Sequence, residues 1–176
     1  MPIRWKPNVT VAAVIERDGR FLLVEEQTSQ GLRLNNPAGH LDPGETLVQA
    51  CVRETLEETA FQFEPQALVG IYLSGPAQAS GPGMTPAGKG AITYLRFAFR
   101  GLLGDHDPQR ALDHGIVRTV WMSLPELRAS VARLRSPAVL RCVEDFQAGV
   151  SHPLQMLQSD FGPQPTGPVL GAGGHP

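Results

Sequence analysis

Apolar residues in short runs predict strands at five places along the chain: residues 9–15, 21–24, 67–73, 91–99 and 117–122. Asp18-Gly19 separates the first two runs and is typical of a tight hairpin turn. The polar segment 27–36 is interpreted as a loop. The run 91–99 alternates, so Tyr94 and Arg96 are expected on one surface of their strand.

Three helices are predicted from their start signals. Thr46 is followed three residues later by Gln49, a capping-box pattern, and a helix should run from Leu47 to about Thr59. A short helix should begin near Pro125, and a longer one at Ser136-Pro137, because proline suits the first turn of a helix. Gly149 would end the longer helix.

Composition indicates one folded domain followed by a tail. The chain has 176 residues, with 41% apolar and 18% charged, which is enough to bury a core. Gly (19) and Pro (16) are abundant, and nearly half of them lie in the segments 74–90 and 159–176. We therefore assign residues 1–158 to the domain and 159–176 to a Gly/Pro-rich tail, expected to be mobile and dispensable.

Charge and cysteine content exclude several classes of function. Fifteen basic against 17 acidic residues give a net charge of −2, which argues against a stable nucleic-acid partner. Two cysteines cannot build a disulfide scaffold. The longest apolar run, residues 11–15, is too short to span a bilayer. A cytoplasmic protein with no membrane association is the expectation.

The predicted helix 47–59 carries the candidate chemistry. At about 100° of rotation per residue, Glu54, Glu57 and Glu58 fall on one side of the helix, and most of the apolar residues on another. Neighbouring carboxylates repel one another, and a hard cation such as Mg²⁺ would relieve the repulsion. Arg53 can reach Glu57 and Glu45 and orient carboxylates. A solvated acidic helix face is the alternative interpretation.

These residues resemble a known family motif. Gly39, Glu45 and the run from Arg53 to Phe61 follow the Nudix box, G-x5-E-x7-R-E-U-x-E-E-x-G-U, with Thr55 at an aliphatic position and Ala60 at the last glycine. If that last position needs a positive φ, Ala60 costs on the order of 1 kcal/mol. Segments 36–41, 121–127, 134–137 and 153–154 look like the NudJ-type group of the family.

The resemblance implies a fold and a metal site. The fold would be α/β, a Nudix α/β/α sandwich with a mixed β-sheet between helices. Mg²⁺, with Mn²⁺ as a possible substitute, would be held by the Ala38 carbonyl and three glutamates, Glu54, Glu57 and Glu58. Glu54 or Glu57 would act as the general base, and the choice stays open. Glu45 and Arg53 would support the site, so the implied catalytic set is Glu45, Arg53, Glu54 and Glu57.

The implied activity is hydrolysis of a pyrophosphate bond in a small diphosphate substrate. The favoured substrates are nucleoside di- and triphosphates and thiamine-pathway pyrimidine or thiamine pyrophosphates. ADP-ribose, oxidised nucleotides and RNA 5′ ends remain alternatives, as does a non-catalytic nucleotide sensor. The intact glutamates argue against the sensor. Either a monomer or a homodimer is compatible with the sequence.

Substrate-binding residues are expected outside the box. Arg33 and Arg96 could contact phosphate oxygens, and Tyr94 shares a predicted face with Arg96. A solvated strand face is an equally good interpretation of that pair. Asp113 could add a further acidic ligand or base, and Asp105 and Asp107 compete for the role.

Overall fold

The computed structural model describes residues 6–75 and 92–160. Within those ranges the helices are α1 (Leu47–Thr59), α2 (Leu124–Ala129) and α3 (Pro137–Gln147). The strands there are β1 (Asn8–Val14), β2 (Glu16–Arg17), β3 (Arg20–Thr28), β4 (Gly31–Asn35), β5 (Ala38–His40), β6 (Phe61–Ser74), β7 (Tyr94–His106), β8 (Ile116–Ser123) and β9 (His152–Pro153).

The strands form two sheets. Five strands make a mixed sheet in the order β5-β1-β7-β6-β9, in which β1 and β7 run parallel and the other neighbours antiparallel. In the second sheet β3 pairs antiparallel with β2, β4 and β8. Strand β1 lies inside the mixed sheet, and β5 on its edge carries Ala38 and Gly39.

Helices cover both faces of the mixed sheet, which confirms the predicted α/β/α sandwich. Alternate residues of β1 point to opposite faces, as the period of a strand requires. Val11 and Ala13 belong to a core cluster that includes Cys51 of α1. Ala12 belongs to a second cluster that includes Val143 of α3. Since both faces of β1 are buried over residues 11–14, this part of the strand is continuously apolar rather than alternating.

Helix α1 begins and ends where the sequence predicts. The Thr46 hydroxyl accepts a hydrogen bond from the Gln49 backbone amide, and the Gln49 side chain accepts one from the Thr46 amide. Ala60 follows the helix with φ 58° and ψ 12°, the left-handed conformation. The box position that usually holds glycine thus does require positive φ, and Ala60 adopts it despite its Cβ.

The predicted loop over residues 27–36 is wrong. Strand β3 continues to Thr28, and β4 returns from Gly31 to Asn35 beside it. The turn between them is closed by Thr28, whose hydroxyl donates to the Gly31 carbonyl and accepts from the Gln30 amide. Gly31 has a φ of 88°. Polar residues form this hairpin because pairing with β3 supplies the backbone hydrogen bonds, a contribution that composition does not reveal.

Other predicted boundaries differ only in length. Strand β6 begins at Phe61, directly after Ala60, rather than at residue 67, and β7 continues to His106. Both remaining helices are confirmed, and α2 starts with a capping box between Ser123 and Glu126. No helix within residues 6–75 and 92–160 combines the length and apolar character that a membrane span needs. Residues 161–176 of the predicted tail lie outside the described residues.

Candidate active site

A cavity of about 600 Å³ opens where β5 and the loop after it meet α1, beside β7 and the residues before α3. Its wall has two kinds of charged side chain. The carboxylates are Glu26, Asp42, Glu54, Glu58 and Asp113, and the guanidinium groups are Arg53, Arg96 and Arg135. A site with both charges suits a ligand that is bound partly through a cation and partly through anionic oxygens.

Arg53 ties α1 to the loop before it. Its Nη2 and Nε donate to the two carboxylate oxygens of Glu45 at 2.6 and 3.0 Å, and Nη2 also donates to the His40 carbonyl at 2.9 Å. Its Nη1 donates to Glu54 Oε1 at 2.8 Å and to Glu57 Oε2 at 3.1 Å. The hydrogen bonds from Arg53 lower the pKa of Glu45. One guanidinium therefore orients three glutamates of the box.

Glu54 lies against the backbone of Gly39. A Cβ added at Gly39 would lie 2.0 Å from the Glu54 carboxyl carbon and 2.1 Å from each of its oxygens. Only glycine at this position leaves room for the carboxylate. Burial raises the pKa of Glu54, Arg53 lowers it, and the charges of Glu57 and Asp113 raise it further.

Glu58 is the more deeply buried carboxylate of this pair. Its Oε2 accepts a hydrogen bond from the Ala38 amide at 2.8 Å, which connects α1 to β5. Burial, with smaller contributions from the charges of Glu54, Glu26 and Asp113, raises the pKa of Glu58 to about 8. The protonated form of Glu58 is therefore favoured at neutral pH, because the hydrogen bond from the Ala38 amide only partly offsets the free-energy cost of burying the charge.

Glu57 occupies a different place from the other two. It is absent from the cavity wall, and its side chain is 37% exposed beside Arg53. Its carbonyl accepts a hydrogen bond from the Asp113 amide at 2.9 Å, and this contact holds the Asp113 loop against the end of α1. Asp113 lines the cavity.

The donor set fits a hard divalent cation. Glu54 and Glu58 have pKa values raised by burial and by the charges of neighbouring carboxylates, a cation would stabilise their ionised forms, and their oxygens are ligands that Mg²⁺ prefers. In the geometry of the described residues, however, no three acidic, histidine or cysteine side chains already form a metal-binding group. Arg53 holds one oxygen of Glu54 and one of Glu57, so a cation would compete with this arginine for them.

Arg96 contributes a buried positive charge to the cavity. The residue is 8% exposed, and within the described ranges no carboxylate lies within 4.0 Å of its guanidinium nitrogens. Its Nη2 donates to the Asn35 amide oxygen at 3.2 Å and its Nη1 to that of Asn36 at 3.5 Å. Burial lowers the pKa of Arg96. A guanidinium group that is buried to this degree and hydrogen-bonded to neutral amide oxygens is suited to bind an anionic group.

Neighbouring strands bring further polar residues to the same place. Thr10 of β1 pairs in register with Arg96 on one side and with His40 on the other, and all three line the cavity. The Thr10 hydroxyl is buried and has no hydrogen-bond partner among the described residues. Tyr94 also lines the cavity, two residues before Arg96 on the same face of β7. Its ring centroid lies 6.2 Å from that of His40.

Not every residue that the sequence suggests reaches the cavity. Arg33 is not part of the wall, and its Nη1 donates to the neighbouring Leu32 carbonyl at 3.0 Å. Asp105 and Asp107 are also absent from the wall. The structure adds seven residues that were not site candidates from the sequence: Thr10, Glu26, Asn35, Asp42, Ser74, Arg135 and Ser136. Arg135 lies in a segment that resembles the family, Asn35 lies in the segment 27–36 that is interpreted as a loop, and Glu26 lies directly before that segment.

Comparison with known proteins decides the family. A model of the NUDIX domain matches residues 5–142. The chain belongs to the Nudix family. Curated relatives named Phosphatase NudJ, among them those of Escherichia coli (strain K12) and Shigella flexneri, are 37% identical over 157 residues, covering 89% of this chain and 94% of theirs.

Solved structures agree with this assignment. A NUDIX hydrolase from Nitrosomonas europaea superimposes with a TM-score of 0.77 at 49% identity, covering 88% of this chain and 97% of its own. A UDP-X diphosphatase has a TM-score of 0.60 at 18% identity, covering 83% of this chain and 66% of its own, and shows the fold alone. The protein is thus a Nudix pyrophosphohydrolase, from a family that generally uses divalent metal ions.

Proposed function

We propose that this Nudix hydrolase uses Mg²⁺ to cleave the pyrophosphate bond of small nucleoside di- or triphosphates, or of thiamine-pathway pyrimidine or thiamine pyrophosphates. The observation that carries the proposal is the presence in one cavity of two buried carboxylates, Glu54 and Glu58, and of the buried Arg96, which has no carboxylate within 4.0 Å among the described residues. A metal-bound diphosphate would satisfy both groups, because its cation meets the carboxylates and its oxygens meet the guanidinium.

The metal-binding role falls to Glu54, Glu57, Glu58 and the Ala38 carbonyl. Mg²⁺ would supply charge neutralisation on the bridging and leaving oxygens of the diphosphate, and Mn²⁺ could replace it. Arg53 would keep Glu54 and Glu57 near the cavity as they turn toward the cation, since its bonds to Glu45 anchor it independently. The Ala38 amide would continue to hold Glu58 Oε2.

Arg96 would hold the phosphoryl oxygens. Its planar guanidinium is fixed by Asn35 and Asn36, so it does not lose side-chain freedom when substrate arrives. Arg135 at the outer rim, with Nε 3.2 Å from Glu26 Oε1, would add a second positive charge. Tyr94, which also lines the cavity, would contact the organic part of the substrate.

Proton transfer is assigned to a glutamate of the box. Water attacks one phosphorus, the bond from that phosphorus to the bridging oxygen breaks, and the two products are a phosphate and the remaining phosphate ester. The water proton passes to the general base. Glu54 is the better candidate than Glu57, because its carboxyl lines the cavity while that of Glu57 does not.

A hydrolysis screen with Mg²⁺, in which chromatography separates and quantifies the phosphate, pyrophosphate and phosphate-ester products, tests the proposal. The panel contains GDP, ATP, thiamine pyrophosphate, its pyrimidine pyrophosphate precursor, ADP-ribose, an oxidised dGTP and a 5′-triphosphorylated RNA. We expect the highest kcat/KM among the first four, and Glu54→Gln as the matched inactive control. Preference for ADP-ribose, oxidised dGTP or RNA would contradict the proposed substrate class. Tight binding with no turnover of any compound would indicate a sensor instead.

A further inference from the structure

A second cavity adjoins the first. Its volume is about 1100 Å³, and it lies between the ends of β6 and β7 and the segment that leads into α3. Four residues line both cavities: Ser74, Tyr94, Arg135 and Ser136. Because these shared residues form a common border, a molecule held at Arg96 can extend past Tyr94 into the second cavity without leaving the protein surface.

The walls of this second cavity, here called the groove, carry exposed apolar side chains. Ile92 is 52% and Val131 is 56% exposed, and both belong to the wall with Leu134 and Leu140. Leaving such side chains in water is unfavourable by roughly 25 cal/mol per Å² of apolar surface. Ile92 lies two residues before β7, Val131 and Leu134 precede α3, and Leu140 belongs to α3.

Charged groups at the groove are already engaged. Arg141 Nε lies 3.0 Å from Asp145 Oδ2, and Glu144 Oε1 accepts from Arg128 Nη2 at 2.8 Å. Arg135 faces Glu26 of the first cavity. Besides these paired charges the wall holds apolar side chains and a few uncharged polar ones, among them Gln30, Ser74 and Ser136, so a ligand can cover mainly apolar surface there without breaking an ion pair.

We propose that the groove binds the organic group of the diphosphate substrate, and that this group is apolar and ring-sized. This inference rests on the proposed function, since it requires the diphosphate to lie at Arg96. Tyr94 sits at the junction, one pleat from Arg96 and in the wall of both cavities, so its ring faces the first atoms beyond the phosphates. Ile92 and Val131 determine the preference for an apolar group.

The test compares two substrates that differ only in the organic group, methyl diphosphate and benzyl diphosphate. Wild type should show a higher kcat/KM for the benzyl ester. In Ile92→Asn and Val131→Asn that preference should fall about tenfold, through KM. Leu102→Asn and Val117→Asn are matched controls, because both residues are similarly exposed, at 55% and 53%, and line neither cavity. These controls should retain the wild-type preference.

The outcomes separate the two proposals. Failure to hydrolyse either ester while GDP or thiamine pyrophosphate is cleaved would overturn the groove assignment, whereas failure to hydrolyse any of these compounds would contradict the proposed function. Hydrolysis with equal kcat/KM for the two esters, or a preference that the groove variants leave unchanged, would overturn the groove assignment alone. A groove filled by another part of this chain or by a second copy would appear as a lower melting temperature or a changed mass in light scattering, with an unaltered preference, and would likewise overturn it.

Discussion

The carboxyl group of Glu54 occupies the space that a side chain at Gly39 would fill, since an added Cβ would lie 2.0 Å from its carboxyl carbon. Gly39 is the first residue of the box, and its φ is not in the left-handed region. The glycine is therefore required here by the close approach of the Glu54 side chain rather than by backbone conformation.

Gly39→Ala should displace the Glu54 carboxylate and lower kcat by at least about a hundredfold, because a shift of roughly 1 Å is enough to spoil a catalytic geometry. Glu54→Asp, which is one methylene shorter, provides a double-mutant cycle. The double variant should lose less activity than the product of the single losses. Strict additivity in kcat would show that Gly39 does not act through Glu54.

Glu57→Gln and Glu58→Gln should each lower kcat by at least about a hundredfold at saturating Mg²⁺, because each removes a charged metal ligand. The helix should persist in circular dichroism, since Gln and Glu have similar helix propensities. Glu64→Gln, at an exposed position of β6, is the control and should keep full turnover. Near-wild-type turnover in both test variants is incompatible with the proposed metal site.

The metal-free protein should lose stability as pH rises, and Glu58 should account for part of the loss. Its pKa is about 8 in the folded protein against 4.5 for the free group, so the folded state retains a proton that the unfolded state has released. That stabilisation is complete below pH 4.5 and disappears as pH rises through about 8.

In the presence of EDTA, Glu58→Gln should therefore melt several degrees above wild type at pH 8.5 and close to it at pH 4.5. If the difference in melting temperature between Glu58→Gln and wild type is the same at both pH values, Glu58 is not the group responsible. Glu64→Gln is measured beside them as the control. Saturating Mg²⁺ should raise the melting temperature of wild type more than that of Glu58→Gln. A ligand that binds the folded state stabilises the protein, and the substitution removes one charged group of the proposed metal site.

Arg96→Met should raise KM for the preferred diphosphate at least about tenfold, because a buried charge-assisted hydrogen bond to an anion is worth roughly 1.5–3 kcal/mol. Arg33→Met is the informative comparison, since the sequence suggests the same role for Arg33 whereas the structure does not bring it into the cavity wall. It should change KM less than about twofold. An equal effect of the two substitutions would contradict the assignment of Arg96.

Ala60→Gly should leave turnover unchanged and raise the melting temperature slightly. The left-handed backbone at φ 58° costs alanine about 1–2 kcal/mol, whereas removing its buried methyl costs about 0.8 kcal/mol. Ala129→Gly, at an exposed helical position, should instead lower the melting temperature. A clear loss for Ala60→Gly would mean that methyl packing outweighs backbone strain.

Local interactions determine the bounds of α1 and the proximity of its glutamates, and these features are predicted from the sequence. Helix α1 was predicted with its observed bounds because Thr46 and Gln49 cap one end within a single turn. The left-handed residue at the other end, Ala60, follows from the same box. Glu54, Glu57 and Glu58 share that one helix, and so their proximity required no knowledge of the rest of the chain.

Tertiary structure decided the properties that depend on distant partners. Pairing of β4 with β3 turned a polar segment into a strand and brought Asn35 to Arg96, 61 residues away. The fold buries Glu58 more deeply than Glu57. It also places Arg96, but not Arg33, in the cavity wall. Burial and long-range pairing arise from the whole fold, whereas helix capping and helical spacing are set within a few residues.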